Sequence, residues 1–321
     1  MPAIIAKPLN KEVDIQVCIP VFQREEELLV LYDSISKSLS GLNYNVYFLL
    51  NGATDNAKKL VFKEFAKLDN SGIVVFDKNI KDDIFVWPFF NLPKGLFWII
   101  GDDDFVTENA RNVVQKAQNY DLTILNYDLY DNNLENKISG SHLERYFRKA
   151  GNEIDIKYVF SNLSEKLSFI SSVIINSRKL SFDYSSSEPK SFQYASLIYN
   201  SISKSKRKVN IFFEDKVCLK QRGNNVLYED RSITDNIFIN ELRAFYISMI
   251  HNPLFRFAAI RKLIQATFIE TPRLLIRSKI ENRSANVKSF FFIDFVYFFI
   301  IKLFIKIIPA QFFKLLRGFL R

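Results

Sequence analysis

From Val13 to Asn126 the chain alternates short unbroken apolar runs with stretches in which apolar residues recur every three or four positions. Val13–Pro20 (VDIQVCIP) reads as a buried strand that closes at a proline. REEELLVLYDSISKSL follows, and its spacing predicts a helix with Leu28, Leu29, Leu31, Tyr32 and Ile35 on one face. Acidic residues fill the first turn, where the helix dipole favours negative charge. Tyr44–Leu50 (YNVYFLL) is a second strand ending at Asn51-Gly52, and ATDNAKKLVFKEFAKL then starts as a helix with Thr54 or Asp55 as its N-cap. Ile73–Phe76 and Gly95–Ile100 (GLFWII) are further strands, the second running directly into Gly101-Asp102-Asp103-Asp104. The helix ENARNVVQKAQ and the strand Leu122–Asn126 complete the series. This rhythm predicts an α/β fold with a mainly parallel sheet flanked by helices. Ligands of such sheets bind beyond the carboxyl ends of the strands, so Gln23–Glu25, Asn51–Asp55 and Asp102–Asp104 are expected to converge on one edge.

Composition sharpens this picture in three ways. With 321 residues, 48% of them hydrophobic and only 9 Gly and 9 Pro, the chain is neither collagen-like nor disordered, and it is long enough to bury a core without disulfides. Two cysteines, Cys18 and Cys218, sit in apolar runs and read as core residues of a reducing compartment. His142 and His251 are the sole histidines, which excludes chemistry built on a histidine cluster. Charge is uneven: residues 253–321 carry 13 Lys and Arg against 3 acids, 13 − 3 = +10, whereas the whole chain is +9, leaving −1 for residues 1–252. A neutral body and a basic, Phe-rich tail therefore meet near Pro253. The apolar stretch in MPAIIAKPLNKEVD is too short for the core of a signal peptide, so the body is expected in the cytoplasm.

The acidic triplet is the main chemical signal. Adjacent carboxylates repel and raise one another's pKa unless a cation relieves them. Mg²⁺ or Mn²⁺ does so with one or two carboxylates plus substrate phosphates. The competing expectation is a solvated turn in which Asp104 or Thr107 caps the next helix.

IPVFQREEEL, LLNGATDNA and GLFWIIGDDDF, in this order and spacing, resemble the three signature segments of GT-A glycosyltransferases of family 2. The subgroup with an L-G-D-D-D triplet, which includes O-antigen and capsule sugar transferases, is the most similar. FISSVIINSRKL resembles that subgroup's acceptor-side segment, and KVCLKQRGNN its later strand ending in R-x-x-N; together the likeness spans about residues 13–225. The resemblance implies that Pro20, Phe22, Gln23, Arg24 and Glu25 frame the base and ribose of a nucleotide-sugar, with Asn51, Thr54 and Asp55 at the second strand end. Where the family most often places its base-reading Asp, this chain has Leu50, and Gly101 occupies the first position of the usual D-x-D. Asp103 is thus the best match to the metal ligand, with Asp102 and Asp104 as alternatives. Asn91 and Lys94 could approach the sugar or diphosphate, although a turn lysine is the plainer reading of Lys94.

Sugar transfer needs stabilisation of the departing diphosphate and a base for the acceptor hydroxyl. The family resemblance implies inversion by single displacement and places the base some 80–100 residues after the triplet. That points to Glu188 or Asp183, with Glu214 and Asp215 as a second possibility. Ser171 and Ser172 are candidates for lining an acceptor pocket.

In the tail, Ser289–Ile308 would span roughly 30 Å as a helix, about the thickness of a bilayer core. Lys288, Asp294, Lys302 and Lys306 fall within an arc of roughly 120°, which suits a helix lying in the interface better than one crossing it. QFFKLLRGFLR after Pro309 repeats the design, and FRFAAIRKLIQATF upstream is also basic and apolar. The expectation is a peripheral enzyme on the cytoplasmic face of the inner membrane, with an anionic membrane surface and a lipid-linked saccharide acceptor as partners. Within the body, about 13–130 would form the nucleotide-sugar half and about 131–252 the acceptor half, with 253–321 as the membrane-association region. Packing of the long tail helix on the body, oligomerisation or a true span are its alternatives. A non-catalytic scaffold and a nucleotidyltransferase are the alternatives for the whole. Nucleic acid is not an expected partner, because the tail's basic residues are interleaved with apolar runs.

Overall fold

The computed structural model describes residues 3–9, 12–140, 143, 154–164, 167, 169–183, 192–205, 207–223, 240–272, 275–276 and 301. The chain divides into two units, 1–186 with 193–225 and 187–192 with 226–321.

In the first unit the elements run β1 (Ala3–Lys7), β2 (Ile15–Val21), α1 (Glu25–Ser38), β3 (Tyr44–Asn51), α2 (Asp55–Leu60), β4 (Ser71–Phe76), α3 (Pro88–Asn91), β5 (Leu96–Ile99), β6 (Phe105–Val106), α4 (Ala110–Ala117), β7 (Leu122–Tyr130), β8 (Lys137–Ser139), α5 (Ile156–Leu163), β9 (Val173–Asn176), α6 (Gln193–Lys204) and β10 (Ile211–Arg222). The sheet order is β1-β4-β3-β2-β5-β9-β7-β10-β6, with β8 on β7. Neighbours β4, β3, β2 and β5 are parallel, as are β7 and β10. The mainly parallel sheet is thus observed, but β9 enters it antiparallel between β5 and β7. All four of its residues are buried, so it carries no alternation to announce its place.

The cores of β2 and β3 are nearly continuous apolar runs because both faces are covered. On α1 the buried apolar positions are Leu28, Leu31 and Ile35, whereas Leu29 is 42% exposed. The expected face was one residue too wide: at 3.6 residues per turn, position 29 is rotated about 100° from 28. Tyr32 packs across Phe48 and Phe65, whose rings stack at 4.3 Å. Cys18 and Cys218 are buried free thiols.

The second unit contains α7 (Leu242–Ile250) and α8 (Arg256–Gln265), which runs on through a wider turn at Ala266–Glu270. Asn252 Oδ1 accepts from Leu254 N at 3.1 Å and shapes the turn between the helices. Phe245, Tyr246, Met249, Phe255 and Ala259 form the core, and the buried Arg243 donates from Nε to Thr267 Oγ1 at 3.1 Å. The charge boundary at Pro253 falls in this turn. Among the described residues no helix is long and apolar enough to cross a membrane. Residues 289–308 and the stretch after Pro309 lie outside them, apart from Ile301.

Candidate active site

The chain leaves β5 at Ile99, and Gly101–Asp104 sit at its carboxyl end. Asp102, Asp103 and Asp104 are only 7%, 8% and 3% exposed, so they do not form a solvated turn. Nor do they cap the next helix: Thr107 Oγ1 donates to the Val217 carbonyl at 2.7 Å, and α4 starts only after Asn109. Arg24 Nη1 bridges two members of the triplet, 3.0 Å from Asp102 Oδ1 and 2.9 Å from Asp103 Oδ2. Phe22 N donates to Asp102 Oδ2 at 3.4 Å. Asp104 is held from the other side, where Ser171 Oγ donates to its Oδ2 and accepts from Gly101 N at 2.9 Å. The Ser171 carbonyl in turn accepts from Trp98 Nε1 at 2.7 Å. Arg222 Nε donates to the Asp103 carbonyl at 2.8 Å. A Cβ at Gly101 would lie 3.1 Å from both Asp103 Oδ1 and Asp104 Oδ2, so a larger residue would push on two carboxylates.

Burial dominates the electrostatics. It raises the Asp102 carboxyl to about 6, with Arg24 opposing and the Asp103 charge adding to the rise. Burial likewise lifts Asp103 against the pull of Arg24. Asp104 is raised well above the usual carboxylate range by burial and then by the Asp103 charge, with Ser171 opposing. Three acids are therefore confined with one bridging guanidinium, an arrangement that favours a further positive charge.

The polar ends of β2, β3 and β5 meet. Thr54 N donates to the Phe22 carbonyl at 2.9 Å, and Thr54 Oγ1 donates to Glu25 Oε1 at 3.2 Å. Thr54 is the N-cap of α2, accepting from Ala57 N at 3.2 Å, while the Asp55 side chain is 89% exposed beside Lys58. Pro20 is half-buried, Phe22 is 43% exposed and Gln23 is exposed. Asn51 is buried and works on the chain: its Oδ1 accepts from Ile80 N at 2.8 Å and its Nδ2 donates to Asn79 Oδ1 at 3.2 Å. Gly52 beside it takes φ +63, with Asn79 Cβ 2.9 Å from where its own Cβ would stand. Asn91 Nδ2 donates to the Trp87 carbonyl at 2.8 Å, and Lys94 is exposed.

The base candidates among the described residues engage partners other than the triplet. Asp183 pairs with Lys204 at 2.9 Å and its side chain is 73% exposed. Glu188 lies outside the described residues. Glu214 pairs with Lys116 at 3.4 Å in a cleft of about 380 Å³ along α4, lined also by Asn109, Asn112, Gln115, Asn119 and Lys216. Asp215 is exposed. Ser171 and Ser172 are fully buried, and Ser171 orients the triplet through Asp104. Sequence reasoning missed that role and the Arg222 contact, because neither contact is local in sequence.

Among the described residues no group of three or more His, Cys, Asp or Glu side chains is placed to hold a metal ion by itself. A Mg²⁺ or Mn²⁺ site does not require such a group, because one or two carboxylates suffice when phosphates and water complete the shell. The donor set here is all hard oxygen, Arg24 already acts as a cation on Asp102 and Asp103, and the raised carboxyls call for more positive charge. The residues fit such an ion.

No family model matches the chain, and no curated protein matches it. Solved structures do. S. aureus TarS 1–349 superposes with a TM-score of 0.53 at 12% identity, over 83% of this chain and 79% of that one. The same protein in complex with UDP-GlcNAc gives 0.53 at 11% identity, over 83% and 80%. The mannosyltransferase PcManGT from Pyrobaculum calidifontis, in complex with GDP-Man and Mn²⁺, gives 0.53 at 10% identity, over 88% and 80%. The chain has a GT-A-type glycosyltransferase fold. At such identities the likeness concerns the fold alone.

Proposed function

We propose that this protein is an inverting glycosyltransferase that moves a sugar from a nucleotide-sugar donor to a saccharide acceptor carried on a polyprenyl diphosphate, in bacterial surface polysaccharide synthesis. The observation that carries the reading is the buried triplet Asp102–Asp104 at the end of β5, held between Arg24 and Ser171. Support comes from the fold, which is shared with proteins solved with UDP-GlcNAc and with GDP-Man and Mn²⁺. Residues 1–252 would be the catalytic region, and 253–321 would keep the protein at the cytoplasmic face of the inner membrane.

In this reading Asp103 and Asp102, with Asp104 behind them, hold Mn²⁺ or Mg²⁺. A divalent ion there supplies positive charge against the negative charge that develops on the departing nucleoside diphosphate. Arg24 offers a second positive group to the same oxygens, and Arg222 fixes the backbone of Asp103. Pro20, Phe22, Gln23 and Glu25 border the base and ribose, with the partly exposed Phe22 ring able to stack on a base. Asn51, Thr54 and Asp55 shape the adjoining edge, and Asn91 and Lys94 are at hand for the sugar or diphosphate. The acceptor hydroxyl gives its proton to a carboxylate oxygen of Glu188, or else Asp183, as its oxygen attacks the anomeric carbon.

Thermal shift against a panel of nucleotide-sugars, with and without Mn²⁺, tests the reading. One donor should stabilise the wild type only when the cation is present, and Asp103→Asn should abolish that dependence. An unchanged cation-dependent shift in the variant removes the triplet from the site. A non-catalytic scaffold, which the pairing of Asp102 and Asp103 with Arg24 would also suit, predicts no cation-dependent hydrolysis of any donor.

A further inference from the structure

A helix on the surface of a soluble protein turns its large apolar side chains inward and leaves polar ones outside. α8 departs from this rule. Its inward side carries the fully buried Ala259 and the half-buried Leu263, with Ala266 and Thr267 continuing the strip. Phe257 is 84% exposed, Ile264 52% and Ile260 38%. At about 100° per residue these three fall within an arc of roughly 60°, on the side away from Ala259 and Ala266. Phe268 and Ile269 extend the exposed strip past the helix, at 39% and 46%. Of thirteen exposed large apolar residues among those described, five lie between 257 and 269, and the others occur one or two at a time. Scattered examples are ordinary on any surface; a contiguous stripe marks a place where something binds.

The charges name the partner. Arg256 and Arg261, both exposed, flank the stripe on either side, Lys262 lies further round, and α8 contains no Asp or Glu. An apolar stripe edged by cations matches a lipid surface, with an apolar interior beneath negative headgroups. A second copy of the same face would set arginine against arginine in a two-fold contact. We infer that the Phe257–Ile264 face of α8 docks on an anionic membrane surface, with the helix axis in the plane of the membrane. The inference rests on the membrane part of the proposed function and is independent of sugar transfer.

The two native tryptophans, Trp87 and Trp98, are buried, so a Phe257→Trp variant of the full chain adds a single exposed reporter. Its emission should shift to the blue with vesicles of phosphatidylcholine and phosphatidylglycerol, but not with phosphatidylcholine alone. In co-sedimentation with the mixed vesicles, Phe257→Asp with Ile264→Asp should weaken binding at least about tenfold, and Arg256→Glu with Arg261→Glu should do the same while reducing the salt sensitivity. All positions are exposed, and an unchanged melting temperature confirms that the variants fold. Wild-type binding by the aspartate variant, or sedimentation without a blue shift, overturns the assignment in favour of another segment. A blue shift that depends on protein concentration and not on vesicles overturns it in favour of a second copy. No donor is present in these assays, so their failure leaves the sugar-transfer reading to its own test.

Discussion

At the residue scale, the triplet behaves as a proton-sensitive unit. The folded Asp102 carboxyl is raised to about 6, above the roughly 3.9 of an unfolded Asp. Between those values the native state binds more protons than the unfolded one, so stability falls as pH rises through the interval. The metal-free protein should therefore gain from this group on going from pH 7.5 to pH 5. Cation binding needs the ionised carboxylates and should run the other way, so the melting-temperature increase caused by Mn²⁺ should be larger at pH 7.5 than at 5. A melting series at both pH values, with and without Mn²⁺, reads both signs. The base candidates separate at the same scale. Glu188→Gln should lower kcat by at least about a hundredfold with donor binding retained, whereas Asp183→Asn should lose only an exposed pair with Lys204 and leave kcat close to wild type. The reverse result would assign the base to Asp183. The carboxylates were legible in sequence because acids after an apolar strand have few roles. Their guanidinium partner was legible only as part of the first signature segment, and its bridging of Asp102 and Asp103 appears only in three dimensions.

At the element scale, the informative piece is the short turn Ile170–Ser172 that leads into β9. By entering the sheet antiparallel beside β5, β9 brings Ser171 against both Gly101 and Asp104. Ser171→Ala leaves Gly101 N and a buried carboxylate oxygen short of a partner, at a cost of about 1–3 kcal/mol. Its distinguishing effect should be on Asp104: a weaker Mn²⁺-dependent thermal shift, partly restored by Ser171→Thr, which keeps the hydroxyl. A general loss of packing would lower the melting temperature without changing the cation-dependent increment. Turn chemistry was easier to read than pairing. Of the two N-cap candidates read from the sequence, Thr54 and Asp55, the structure uses Thr54; replacing it with Ala should cost about 1 kcal/mol, measurable by denaturant unfolding. The position of β9 was not readable, because a fully buried run such as VIIN fits any interior slot of a sheet.

At the scale of the whole molecule, a nearly neutral region of 252 residues is followed by one of net charge +10. If the basic region serves a lipid surface, raising the salt concentration should release the protein from anionic vesicles while leaving transfer to a soluble saccharide analogue largely intact. Assaying both in one salt series checks this; parallel loss of binding and transfer would instead tie the basic region to catalysis. The charge boundary was plain from residue counts. The two units were not, since the boundary by contacts at 225/226 precedes the boundary by charge, and α7 and α8 share a core across Pro253.

Periodicity and local chemistry alone determined the α/β alternation, the polar strand ends and the presence of an acidic cluster, because each arises from neighbours within a few residues. Tertiary structure decided which groups hold that cluster, where β9 enters the sheet and which side of α8 faces outward. Those outcomes depend on residues tens of positions apart competing for the same buried space, and no local pattern records who wins.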